Sequence, residues 1–348
     1  MTASLYRLAI VGAGTLKGKE LKEVLEERNF PSVDVKLLDD DESLGQLDSV
    51  GEEPTFLQSV REEQFERVDF TFFASDEAFA RKHWPLARRA GSMVVDLSYA
   101  LEDDPRVPIR APWVEQELLR DSQLRPAPAD LETTSVVVAH PAAVVLALLL
   151  LRAGRAGAIR SVVVTAFEPA SEHGRRGMDE LHEQTVNLLS FQELPRAVFD
   201  SQVAFNMVAR YGSRSQPALE AVERRILAHF RTLTEGRAPV PSLVLVQAPV
   251  FHAHVFSIYI EMEKEVAVED LGHALAGEHV AVAAPAEDLP CNVAAAGQEH
   301  VLVAVRRDPE KPSGIFLWAA ADNLRIAALT ALDCAAALAL ARPRGAVQ

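Results

Sequence analysis

Short, nearly continuous apolar runs recur through the first third of the chain, separated by stretches with helical spacing. Leu8-Ala9-Ile10-Val11 is the first run, Val33 to Leu38 the second, Val68 to Phe73 the third and Ser92 to Asp96 the fourth. Between them, Lys19 to Glu27 and Glu77 to Ala90 repeat apolar positions at the helical period. Strands that are apolar on both faces and alternate with helices predict a parallel sheet covered on both sides. The segment from Pro105 to Pro128 is rich in proline and charge and predicts a crossover between domains.

Beyond Arg160 the pattern changes. Ser161 to Ala166, Ser242 to Ala248, Ala253 to Ile260 and His300 to Val305 alternate more regularly, with helical stretches at Met178 to Leu189 and Ala218 to Phe230. That mixture predicts an α+β domain with a mainly antiparallel sheet. The longest apolar run, Val136 to Leu151, is interrupted by His140 and Pro141. What remains is short of the roughly 20 residues that span a bilayer, so it reads as a buried strand turning into a buried helix. Asp322 to Ala341 reads as a long closing helix. The expected organisation is a Rossmann-like domain over residues 1–133, an α+β domain over 134–321, and a segment, 322–348, whose helix returns to the first domain.

The chain's 348 residues suit two domains, and 49% hydrophobic content supports sizeable cores. A net charge of −15 opposes a nucleic-acid partner, which needs a basic face. Two cysteines, Cys291 and Cys334, make no disulfide framework and no Cys-x-x-Cys pair. Leu5 to Val11 reads as a strand and not as a signal peptide. The expectation is a cytoplasmic protein with no membrane partner.

Candidate chemistry begins at Gly12-Ala13-Gly14-Thr15-Leu16-Lys17-Gly18, which follows the first strand and enters a helix. Glycines allow close backbone approach there, and a helix N-terminus offers N–H groups to a diphosphate. Glycine turns without nucleotides are also common. Asp39, at the end of the second strand, can hold a ribose hydroxyl and favour NAD, or belong to a solvated acidic turn with Asp40, Asp41 and Glu42.

These marks line up in order with a known family. The chain resembles aspartate-semialdehyde dehydrogenase over nearly its full length, and within that family the USG-type paralogue. Gly12 to Gly18 stands for the family's G-A-T-G-x-x-G, and Val95 to Ala100 with Asp104-Pro105 for I-D-N-S-S-A-F-R-M-D-P. His140-Pro141-Ala142-Ala143 stands for N-P-N-C, and Ser171 to Gly177 with Glu180-Leu181 for S-G-A-G-x-x-G-x-x-E-L. Ala204-Phe205-Asn206, Pro249 to His254, and Trp318 with Ala321 to Arg325 complete seven ordered matches.

The resemblance implies a Rossmann-like parallel-sheet domain followed by an α+β dimerisation and catalytic domain. It implies phosphate-dependent aldehyde oxidation by NADP through a cysteine thioacyl enzyme. This chain departs from that pattern. Ala143 stands at the nucleophile position, Ala142 at the neighbouring asparagine, and Glu168 at a glutamine. Glu102 stands where a phosphate-binding arginine is expected, and Glu42 and Gln46 fall on an arginine and a lysine. Thr15 replaces the turn's second glycine, while Asp76 and Glu77 bring carboxylates toward the pyrophosphate place.

The resemblance also implies retained positions. His254 is the acid–base, which read alone could be a polar residue at a strand start. Ser98, Ser171, Glu223 and Arg225, with the altered Glu102, belong to the substrate pocket. Gly12, Gly14, Thr15, Gly18, Asp39 and Asn323 belong to the cofactor site, although Asn206, Trp318 and Asn323 also suit packing. Cys291 is a remote alternative nucleophile. No metal motif is present, but the family fold would bring His140, Glu168, His173 and His254 toward one site as candidate ligands.

Two readings follow. In the first, the chain is a catalytically impaired family member kept as a binding or partner protein, a homodimer or a heterodimer with a related dehydrogenase, and no cofactor is required. In the second, it is an NAD(P)-dependent oxidoreductase acting on an aldehyde or ketone by direct hydride transfer, with His254 as acid–base.

Overall fold

The computed structural model describes residues 5–40, 47–50, 53–120, 133–215, 218–284 and 290–341; Glu42 and Gln46 lie outside the described residues. The chain divides into two compact units. The first comprises the described residues of Met1–Glu115, Ser122–Ala139 and Ala327–Gln348, and the second those of Gln116–Asp121 and His140–Ile326.

The first unit is built from β1 (Tyr6–Val11), α1 (Leu16–Glu27), β2 (Ser32–Asp39), β3 (Leu47–Val50), β4 (Glu53–Phe56), β5 (Gln58–Ser59), β6 (Phe70–Phe73), α2 (Glu77–Arg89), β7 (Met93–Asp96), β8 (Ile109–Arg110), the start of α3 (Pro112–Arg120) and β9 (Ser135–Val138). Seven strands form one sheet in the order β5-β2-β1-β6-β7-β9-β8, and every pairing is parallel. β3 and β4 make a separate antiparallel ribbon. Residues of β6 and β9 are buried on both faces, which accounts for their continuous apolar sequence.

The chain runs outward from β1 to β2 and β5, then returns to β6 on the other side of β1. The order reverses between β1 and β6, and the carboxyl ends of strands at such a switch point form a crevice. The turn after β1 and the loop after β6 meet there. A side chain at Gly12 (φ +83°) would stand 2.4 Å from the Ser75 amide nitrogen, so only glycine fits.

The proline- and charge-rich segment includes the change of unit at Glu115/Gln116 and, where it is described, carries a helix. Pro112 opens α3, because its missing N–H costs nothing on a first helical turn. Trp113 and Val114 are buried on that helix, and the Trp113 indole donates to Asp333 at 2.6 Å. Asp333 lies on α9 (Asn323–Ala341), whose length and composition would suit a membrane span but most of which is buried within the protein. Burial of that kind marks a core helix.

The second unit contains α4 (Pro141–Ala156), β10 (Ile159–Glu168), α5 (Gly174–Leu189), α6 (Leu219–Thr234), β11 (Ser242–Gln247), β12 (His254–Met262), α7 (Val268–Leu275), β13 (Val280–Val282), α8 (Asn292–Ala295), β14 (Val301–Arg307) and β15 (Gly314–Ala321). Six strands form a sheet in the order β11-β10-β12-β15-β14-β13. The centre is antiparallel and the two edge pairings are parallel, so the sheet is mixed. β15 occupies an interior place that sequence pattern alone had not identified, because its Ala319-Ala320-Ala321 end runs on into an alanine-rich helix.

Helix α4 is buried from Pro141 through Ala153. Arg152, on this apolar helix, is 1% exposed and is held by Glu117 at 2.5 Å and by the carbonyls of Leu275 and Glu278. Glu117 also meets Arg155 at 2.7 Å. A guanidinium is tolerated in such a core only because its donors are met on several sides.

Candidate functional site

The second unit gathers buried polar side chains around the ends of β10, β11 and β12 and the start of α4. Pro141 at the first helical position and His140 as N-cap fix the beginning of α4, and the His140 Nδ1 accepts from the Ala142 amide at 3.2 Å. The His140 amide donates to Nδ1 of His229 on α6 at 2.9 Å. With Nδ1 accepting in both rings, a neutral His140 or His229 carries its proton on Nε2. Ala143 sits on the first turn of α4 and is fully buried.

Glu168 ends β10 and His254 begins β12. The antiparallel register pairs Phe167 with Val255, so Glu168 and His254 stand one step further along and face the same side of the sheet. Glu168 also pairs across the parallel edge with Gln247. All three side chains are buried: Glu168 and Gln247 at 0% exposure and His254 at 1%. Oε2 of Glu168 and Nε2 of His254 have no hydrogen-bond partner in the protein.

The hydrogen bonds around Glu168 have a determined direction. The Gln247 amide nitrogen donates to the carbonyls of Glu168 and Ala248 at 3.0 and 2.8 Å, leaving its Oε1 as an acceptor. The Tyr211 hydroxyl donates to that oxygen at 2.6 Å. Having spent its one hydrogen, Tyr211 accepts from Nε2 of His173 at 2.8 Å. Burial, and then the charge of Glu168, push the Tyr211 phenol well above its usual range, which keeps it a donor. Oε1 of Glu168 receives only long contacts, 3.4 Å from Tyr211 and 3.4 Å from His173.

A third group ties down the return toward α9. Oδ1 of Asn323 accepts from the Ser171 hydroxyl at 3.1 Å and the Ala253 amide at 3.3 Å, while its Nδ2 donates to Glu172 at 2.9 Å. Asn323 therefore anchors the segment before β12 from within the second unit. Glu223, on α6, accepts from the Leu245 amide at 3.1 Å, and Arg225 is half-buried on the same helix.

Of the four metal candidates, His140 and His254 lie with ring centroids 5.9 Å apart, while His173 approaches Glu168 at 3.4 Å and is bonded to Tyr211. Among the described residues no group of three or more His, Cys, Asp or Glu is arranged to hold a metal ion. Nδ1 of His140 is spent on the Ala142 amide and Nε2 of His173 on Tyr211, while Nε2 of His254 meets no partner. The four side chains therefore do not come together as one ligand set. Cys291 is exposed, and its sulfur caps the short helix α8 by accepting from the Ala294 amide at 3.4 Å.

In the first unit the glycine turn, Thr15 and Asp39 come together. The Thr15 side chain caps α1, accepting from the Gly18 amide at 3.0 Å and lying 2.8 Å from the Gly12 carbonyl and 2.9 Å from that of Ala74. Oδ2 of Asp39 accepts from the Gly14 amide at 2.7 Å. Asp76 is spent on capping α2, where it accepts from the Phe79 amide at 2.9 Å, and Glu77 pairs with Arg81 on the surface at 2.7 Å. Ser98 donates to Asp96 at 2.5 Å, and Glu102 lies in the following turn, its amide bonded to the Tyr99 carbonyl.

Comparison with known proteins accounts for this pairing of units. Residues 7–122 match the semialdehyde dehydrogenase NAD binding domain, and residues 150–326 match the semialdehyde dehydrogenase dimerisation domain. The chain belongs to the aspartate-semialdehyde dehydrogenase family. It is 33% identical to a USG-1 protein homolog of Pseudomonas aeruginosa, over 91% of this chain and 93% of that one. It is 29% identical to an aspartate-semialdehyde dehydrogenase of Rickettsia bellii, over 92% and 93% of the two chains. A solved structure of a probable aspartate-semialdehyde dehydrogenase from Pseudomonas aeruginosa superposes with a TM-score of 0.84 at 30% identity, covering 96% of this chain and 98% of that one.

The matching family domain is an NAD binding domain, and a glycine turn at a helix N-terminus is where a diphosphate sits in such a domain. The Gly14 and Gly18 amides, two of the groups a diphosphate would use, already have acceptors in Asp39 and Thr15. As it stands, the turn does not fit the group.

Sequence reasoning missed Tyr211, Gln247, His229 and Glu172. Gln247 ends a strand whose alternation was legible, and that alternation puts it on the same face as Leu243 and Leu245. Tyr211 lies in a stretch with no periodicity, and nothing in the sequence pointed to it.

Proposed function

We propose that this chain has lost the family's thiol-dependent dehydrogenase reaction and is retained as a cytoplasmic, dimeric binding or partner protein. The observation that carries this reading is Ala143, buried on the first turn of α4 within His140-Pro141-Ala142-Ala143. A thiol at such a helix start would be favoured as thiolate by the N–H groups and the helix dipole. A methyl group offers no nucleophile. Neither cysteine of the chain replaces it: Cys291 is exposed as a helix cap, and Cys334 is buried in the first unit, its thiol pushed up by burial.

His254 is the retained acid–base position in this reading, and Glu168 alters the group beside it from amide to carboxyl. Ser98, Glu102, Ser171, Glu223 and Arg225 would form the remains of a substrate pocket. Glu102 in place of a cation would disfavour phosphate there.

A homodimer is supported by the open face of the six-stranded sheet. Val163 and Val244 are 51% and 49% exposed there, and Trp318 is 39% exposed. Half-buried Phe167 and Phe316 share that face with them. An apolar sheet face of this kind is suited to a second copy. Sedimentation equilibrium reads the homodimer directly. Co-expression with a catalytic relative asks whether mixed dimers form, and separately migrating homodimers would remove that possibility.

The enzymatic test is a steady-state assay with aspartate semialdehyde, phosphate and NADP. No turnover is expected from the unaltered protein, whereas Ala143→Cys, incubated with the acyl phosphate of the reaction, should yield a thioacyl adduct by mass spectrometry as the thiolate displaces phosphate. Turnover by the unaltered protein would overturn the reading. Turnover of other aldehydes or ketones with NAD or NADP would favour the thiol-free oxidoreductase, with His254 as acid–base.

A further inference from the structure

The glycine turn at the crevice between β1 and β6 is hydrogen-bonded from within the chain. Asp39 reaches it from the last position of β2, the place from which an acidic side chain can meet a ribose hydroxyl. Here the carboxylate turns inward. Oδ2 takes the Gly14 amide at 2.7 Å and Oδ1 the Asp40 amide at 2.9 Å, and the residue is only 6% exposed. This entry depends on glycine at 14, since a Cβ there would stand 2.9 Å from Oδ2. Thr15 completes the arrangement by taking the Gly18 amide with its own hydroxyl.

Three consequences bear on a dinucleotide. Its diphosphate would have to displace a carboxylate from the Gly14 amide, an exchange of one charge-assisted hydrogen bond for another with no gain in number. It would do so beside a buried negative charge, near Asp40 and Asp76, both of which act electrostatically on Asp39. The ribose hydroxyls would meet a carboxylate whose two oxygens are already bound to amides.

We propose that Asp39 serves as an internal stand-in for the dinucleotide in the glycine turn, so that the chain excludes NAD and NADP until that carboxylate is removed. Asp39 thus decides whether this domain accepts a nucleotide. The proposal is independent of Ala143, because it concerns binding and no chemical step.

The test is isothermal titration calorimetry of the full-length protein with NAD and with NADP, separately, for the unaltered chain, Asp39→Ala and Asp39→Ser. Thermal unfolding is recorded in parallel, and Asp39→Ser keeps a small acceptor for Gly14 should the alanine variant fold poorly. The unaltered protein should show no saturable heat up to millimolar nucleotide. A folded variant should bind at least one of the two nucleotides tenfold or more tightly than the unaltered chain. Micromolar binding by the unaltered protein that the variants lose would overturn the proposal and make Asp39 a reader of the ribose. Folded variants that bind no better than the unaltered chain would overturn it too, placing the obstruction elsewhere.

Discussion

Glu168 and His254 stand side by side across the β10–β12 ladder, both buried, and each keeps one polar atom without a partner in the protein. No hydrogen bond or ion pair joins them, although neighbouring positions in an antiparallel ladder are close enough for side chains to interact. A buried polar atom left unmet costs free energy, so this pair stores instability at the candidate site.

Replacing Glu168 by glutamine should release part of that cost. The amide removes a buried carboxyl and leaves a neutral group, which costs less to bury. Urea denaturation of Glu168→Gln should show a gain of about 1 kcal/mol. An unchanged or lower midpoint would mean that the free oxygen is already satisfied.

Tyr211→Phe should act in the opposite direction. It deletes the hydroxyl that donates to Gln247 and accepts from His173, leaving the Gln247 oxygen unmet and His173 with only its long contact to Glu168. The expected loss is about 1–3 kcal/mol, measured by the same denaturation, with the far-ultraviolet circular dichroism unchanged. A loss below a few tenths would show that Gln247 and His173 find other partners.

Arg152→Met tests the ion cluster of the second unit. The substitution removes the donors that hold Glu117 and the Leu275 and Glu278 carbonyls, while Arg155 and the half-exposed Arg120 remain beside Glu117. Breaking one side of a buried pair costs roughly 3–5 kcal/mol, and the two surviving arginine contacts place this case at the lower end. Recovery of stability in the double variant Arg152→Met with Glu117→Leu would locate the cost in the Glu117 carboxylate.

Asp96 makes stability depend on pH. Burial pushes its carboxyl above the ordinary 3.8, against hydrogen bonds from Ser98 and Leu101 and the charge of Lys17. Between 3.8 and the folded value, the folded chain holds a proton that the unfolded chain has released. Asp96 therefore contributes a stability that falls as pH rises through that window and is constant above it. The difference between the unaltered protein and Asp96→Asn, followed from pH 4 upward by denaturation, should show this slope (~1.4 kcal/mol per pH unit at most for one proton). A difference that is flat in pH would rule it out.

The alternation of apolar runs and helical stretches was enough to place β1, β2, β6, β7 and their helices, because a parallel sheet buried on both faces must be written as continuous apolar sequence. Ordered motifs also identified the family and located Ala143, His254 and Glu168, since these are properties of order along the chain. Other features depended on contact between distant segments. β15 takes an interior place in a mixed sheet, through pairing with β12 and β14 that local sequence does not record. The Asp39 carboxylate could have faced a ribose or the Gly14 amide, and the residue type is the same in either case. Tyr211 and Gln247 are 36 positions apart, and the hydrogen bond between them sets the donor direction around Glu168. Sequence by itself determined the fold class and which chemical groups are present. Only the tertiary structure decided which groups satisfy one another and which are left buried and unmet, because hydrogen bonds and burial join positions that the chain separates.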